Sequence, residues 1–303
     1  MRPHAGLVLT IFVLAALGGP LALAVAGAVR VGSRSSYTPR APWDWRATVA
    51  STFIYVLAFN LVFITQELFL VIPKALTPGL HPILYHNNHD WTGDAPVARL
   101  FQGTGALAIL VVALAALLWL DLRPPRAAMV RLALIWTAFC GLFQSLPQLV
   151  AGAVLPGNDV GMAMDYLGLS LPQMWLAAGL GVMAMALGGL ALSRPVLEID
   201  SPPEGHATGH RRAWLVFQCA TLPALLGVPL ILAFRAPGPV MQVAFVPVAA
   251  TVLGLAWVQA GAWRSAELRP RSPLSRPRLG ALFGAVIVLL LVFQLVLRRG
   301  IAF

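Results

Sequence analysis

Long apolar stretches alternate with short polar ones along the whole chain, near 6–29, 49–73, 101–120, 130–154, 169–192, 213–234, 241–262 and 279–297. Each has about the length, roughly 20 residues, that a helix needs to cross a hydrocarbon layer about 30 Å thick. The pattern predicts an all-α polytopic membrane protein with about eight transmembrane helices. The connections carry helix breakers, as in DLRPPR at 121–126, SPPEGHATGHRR at 201–212 and RPRSPLSRPR at 269–278. Within the spans, Pro147, Pro172, Pro223, Pro229 and Pro247 each free a carbonyl and mark kinks, which membrane helices tolerate better than soluble ones.

Direction follows from the basic residues, which concentrate on the cytoplasmic side. The first, third, fifth and seventh loops hold 4, 3, 3 and 5 of the 21 lysines and arginines, leaving few for the other side. This predicts cytoplasmic odd loops and non-cytoplasmic N- and C-termini. Arg2, the apolar run and Ala22, Ala24 and Ala26 also resemble a cleavable signal peptide. Cleavage would invert every later span against the charge bias, so an uncleaved first span is favoured. The loops are too short to bury a core of their own, and residues 1–303 read as a single integral membrane domain. The Phe-Gln pair at 101, 143, 217 and 293 recurs at irregular intervals and marks no internal repeat.

Composition agrees. The chain is 59% hydrophobic and 11% charged, with mean hydropathy +0.81; soluble domains carry about 25% charged residues. Its net charge of +10 comes from arginines and the single lysine Lys74. They lie between apolar blocks, where they set topology and meet lipid headgroups, so the expected partner is the bilayer and not nucleic acid. Cys140 and Cys219 sit mid-span without a CxxC partner, which excludes a disulfide framework and a structural zinc cage. The expected location is a cell membrane, the inner or plasma membrane of a bacterium.

Polar residues gather unevenly. The outer side of helices 2–5 (about 49–192) collects them, whereas helices 6–8 (about 213–297) carry few and read as scaffold. Glu67 is the one acid well inside an apolar span. Such a carboxylate costs about 2.5–3.5 kcal/mol even on lenient scales and faces a cavity or a partner. It reads as a proton carrier, a general acid/base or a metal ligand, or else as a carboxyl hydrogen-bonded to Gln144 or Gln148. Those glutamines bracket Pro147, where they line a polar cavity or satisfy carbonyls released by the kink.

The second loop, HPILYHNNHDWTGDAP, places three histidines and two aspartates close together. In a helical turn His86, His89 and Asp90 share a face, and imidazole with carboxylate suits zinc, iron or manganese. His86, His89, Asp90 and Asp94 are therefore candidate metal ligands, with His81, Asp159, Asp165 and Glu67 as candidates to complete the shell. The bland reading is a turn rich in Asn and Asp, with Asp94 capping the next helix and Trp91 anchoring at the interface. In the fourth loop, Asn158 or Asp159 caps a short interfacial helix, or Asp159 and Asp165 supply carboxylates to the histidines. His206 and His210 fall in a Gly- and Pro-rich loop that reads as solvated. HExxH, GxSxG and P-loop signatures are missing, as is any histidine within a span.

Two functional readings follow. One is a metal-dependent membrane-embedded enzyme with an outer-face His/Asp site, acting on a lipid or membrane-tethered substrate, with Glu67 as catalytic acid or base. The other is a non-enzymatic transporter or accessory subunit of a membrane complex that uses Glu67 as a proton-coupling carboxylate.

Overall fold

Asp44 starts the longest helix of the chain by accepting from the amides of Arg46 (2.9 Å) and Ala47 (3.1 Å), which satisfies two of the four donors every helix N-terminus exposes. The computed structural model describes residues 4–32, 43–200, 209–263 and 277–303. Its eight helices long and apolar enough to cross a membrane are α1 (Ala5–Arg30), α2 (Trp45–Ala75), α3 (Ala98–Leu122), α4 (Ala128–Val154), α6 (Leu171–Leu197), α7 (Arg211–Arg235), α8 (Met241–Gly261) and α9 (Leu279–Arg299). A short helix, α5 (Asp159–Tyr166), links α4 to α6. His206, Arg34, Arg40 and most of the predicted breaker loops at 201–212 and 269–278 lie outside the described residues.

α2 and α4 form the buried centre, and α1 and α9 lie at the periphery with most of their surface exposed. In lipid the hydrophobic effect does not hold helices together, so packing and interhelical hydrogen bonds must. Tyr55, Phe59, Trp136, Phe139 and Phe143 stack edge to face or tilted between α2 and α4. Pro223 has no amide proton to give the Cys219 carbonyl four residues back. Ser51 Oγ on α2 donates to that carbonyl at 2.6 Å, and Trp136 Nε1 donates to Ser51 Oγ at 2.9 Å. The proline kink thereby becomes an attachment point for α2, α4 and α7.

The all-α expectation needs one correction. A three-stranded antiparallel sheet in the order β2-β1-β3 caps one end of the bundle, built from β1 (His81–Leu84), β2 (His89–Thr92) and β3 (Ile301–Ala302). Leu84 pairs with both His89 and Ile301. Gly79 (φ 84°) and Gly93 (φ 109°) flank the hairpin in backbone conformations that side chains disfavour. Because β3 follows α9 directly, the C-terminus and the loop between α2 and α3 share one end of the bundle.

Candidate functional site

The site lies under this sheet, where α2, α3 and α5 converge. α3 approaches α2 closely at Gly105, where a Cβ would lie 2.8 Å from the Gln66 carbonyl. The first turn of α3 ends at Gln102–Gly103 before the helix resumes at Thr104. Thr104 Oγ1 donates to the Phe69 carbonyl of α2 at 2.5 Å, so this break is pinned to α2 and Gln102 is held facing it.

Glu67 projects from α2 and is only 4% exposed. Its Oε2 lies 2.8 Å from Nδ1 of His89, the first residue of β2. The opposite ring nitrogen, Nε2, lies 3.0 Å from Gln102 Oε1. That oxygen also accepts from Lys74 Nζ at 3.4 Å, and Lys74 donates to the Leu70 carbonyl at 2.9 Å. Trp91 roofs the group, with Lys74 Nζ 4.7 Å from its ring centre and the His89 ring stacked on it at 6.0 Å. An ammonium has donors and no acceptor, so the amide oxygen of Gln102 must face Lys74. His89 Nε2 is consequently the donor to Gln102. One proton is then left for the Glu67–His89 contact. It sits either on Oε2, donated to a neutral imidazole, or on Nδ1, donated by an imidazolium to a carboxylate.

Asp159 opens α5 within electrostatic range of Glu67, His89 and Lys74. Burial pushes its carboxyl up to about 6, Glu67 pushes the same way, and His89 and Lys74 oppose. Asn158 occupies the cap position of α5, but no side-chain hydrogen bond caps that helix. Asp165 is half-buried near the other end of α5.

The predicted ligands do not converge. The second loop forms a hairpin rather than a helical turn, closed by the Tyr85 amide donating to the Asn88 carbonyl at 2.8 Å. Neighbours in a strand point to opposite faces, so His89 is buried whereas Asp90 is exposed and accepts from the Trp91 amide at 2.8 Å. His81 and Asp94 are exposed, and no side-chain hydrogen bond caps the following helix. His86, in the turn, is buried toward the end of α7, beside the carbonyls of Arg235 and Pro237. Among the described residues, no three His, Cys, Asp or Glu are grouped to hold a metal. Gln144 and Gln148 also do not bond Glu67. Gln148 Nε2 donates to Gln66 Oε1 (2.9 Å) and to the Gln144 carbonyl (2.8 Å), and Gln144 Nε2 donates to the Phe59 carbonyl (3.2 Å). They tie α4 to α2.

Lys74, Gln102 and Arg235 carry no sequence signal of a shared site, and Trp91 reads as an interfacial anchor; Arg235, the one basic residue of the sixth loop, reads as a topology signal at a helix end. No family model, curated protein or solved structure matches the chain.

Proposed function

We propose that this chain is a proton-coupled transporter of a cell membrane, the bacterial inner or plasma membrane, with Glu67 and His89 as the coupling pair. The observation that carries this reading is the 2.8 Å contact between Glu67 and His89, whose other nitrogen is committed to Gln102. Loss or gain of the shared proton changes the buried charge by one unit beside Lys74. A charge change in a low-dielectric site shifts the balance between conformations strongly. Asp159, titrating near 6 at the mouth of the site, relays protons between water and the pair. The distribution of basic residues supports placing the sheet, both termini and this mouth on the non-cytoplasmic side.

The metal-dependent enzyme reading has less support. A zinc, iron or manganese ion would need a free nitrogen on His89, and both are hydrogen-bonded. It would also draw on His86 and Asp90, of which the first is buried toward the end of α7 and the second is exposed.

Proteoliposomes loaded with a pH-sensitive dye test the proposal under an imposed pH gradient. Wild-type vesicles are expected to take up protons faster than empty ones, and vesicles with Glu67→Gln or His89→Gln to match the empty ones. Equal uptake by wild type and both variants would overturn it.

A further inference from the structure

Arg235, at the last position of α7, is 3% exposed, and its buried Nε has no hydrogen-bond partner among the described residues. Its guanidinium lies over Phe63 at 3.8 Å and within 5.5 Å of the Phe59 ring centre. These contacts use the face of the cation; its N–H donors point outward in the plane of the group. The carboxylate that acts on it electrostatically is Glu67, which is bonded to His89 instead. A buried guanidinium without an ion pair is costly unless something satisfies it.

A second unsatisfied group stands beside it. His86 is 5% exposed, and its ring nitrogens reach no partner at full hydrogen-bond geometry among the described residues, the nearby acceptors being the backbone carbonyls of Arg235 and Pro237. The charged groups acting on it are Arg235 and Arg298, both cationic. Asn87 Nδ2 holds the hairpin turn on the end of α7 by donating to the carbonyls of Arg235 (3.4 Å) and Pro237 (3.5 Å). Two buried donors and a neighbouring arginine are thus gathered between α2, α7 and the β1–β2 turn.

We propose that Arg235 and His86 bind a phosphate oxyanion, either the headgroup of a phospholipid or free inorganic phosphate. A buried guanidinium and an imidazole flanked by a second arginine suit an anion, and the surrounding positive charge repels a metal cation. The guanidinium edge offers two parallel N–H donors to two phosphate oxygens, and the imidazole offers one more. The proposal does not depend on the transport reading.

The test uses the full chain purified in detergent and in nanodiscs. Thermal unfolding in detergent is followed while inorganic phosphate is titrated at constant ionic strength, and native mass spectrometry of nanodisc-released protein counts retained phospholipid. Wild type is expected to show saturable stabilisation by phosphate or one retained phospholipid. The first result identifies a free anion and the second a headgroup. Arg235→Gln and His86→Gln are each expected to weaken the response at least tenfold. Arg235→Lys, which keeps the charge and loses the planar fork, serves if Arg235→Gln does not fold, and the same weakening is expected. Wild type that retains no phospholipid and shows no saturable phosphate effect would overturn the proposal. So would responses in His86→Gln and the folded Arg235 variant equal to wild type.

Discussion

Removing the Glu67 carboxyl and the His89 imidazole, singly and together, measures how strongly the two depend on each other. Glu67→Ala leaves Nδ1 of a buried imidazole without its partner, a cost of about 1–3 kcal/mol, and adds a void where a buried side chain stood. His89→Ala strands the carboxyl and frees Gln102 as well. The void and the freed Gln102 cancel in the double-mutant cycle, which leaves the Glu67–His89 coupling together with the cost of stranding either partner. Ordinary interhelical hydrogen bonds in membrane proteins couple by about 0.6 kcal/mol. A hydrogen bond to a charged group is worth about 1.5–3 kcal/mol, so a pair that shares a proton is expected to couple by about 2 kcal/mol. Reversible unfolding in mixed micelles, driven by added denaturing detergent, gives the four stabilities. Glu67→Gln supplies an internal check. Its amide can still donate to Nδ1, so it is expected to cost only about 1 kcal/mol. Coupling of about 0.6 kcal/mol or less would refute the reasoning, because the contact would then be no stronger than an ordinary interhelical hydrogen bond.

Three further outcomes are expected. The folded-state Asp159 carboxyl titrates near 6, above its unfolded value of 3.8. The folded chain therefore holds that proton more tightly, and this contribution to stability is present below about pH 4 and lost as pH rises through about 6. Unfolding midpoints from pH 4 to 7 should fall less steeply in Asp159→Asn than in wild type. Gly105→Ala places a Cβ 2.7 Å from Leu70 Cγ, so it should cost about 1–3 kcal/mol by overpacking and weaken the Gln102–His89 contact, read as a raised exchange rate of the His89 ring proton by NMR. Cysteine introduced at Asn88 should react with a membrane-impermeant reagent in intact cells while cysteine at Gly205 does not; the native Cys140 and Cys219 are buried and add little background.

The helices were legible because a span is a local, one-dimensional signal: each run from 49–73 to 279–297 announces itself without reference to the others. Glu67 was legible for a related reason, since a carboxylate in hydrocarbon is costly wherever its partner lies. The partner itself was not. His89 sits 22 residues further on, across a loop whose His-rich pattern fitted a helical metal turn as well as a strand. Four-residue strands of mixed polarity carry almost no periodic signal, and β1 is completed by β3 from the far end of the chain, a pairing that no local window contains. A glutamine near a helix end is ordinary, and the role of Gln102 depends on Lys74 turning its oxygen toward His89. The burial of Arg235 arises only when the hairpin turn folds down beside it.

The account rests most heavily on a proton that moves on and off the Glu67–His89 pair. Infrared difference spectra of the reconstituted protein, recorded between pH 8 and pH 5 in ordinary and heavy water, observe it directly. The account predicts that acidification produces a histidine ring signal or a carboxylic-acid carbonyl signal that vanishes in both Glu67→Gln and His89→Gln, with Asp159→Asn removing only a separate carboxyl band. Spectra of Glu67→Gln and His89→Gln that match wild type across this range would contradict it.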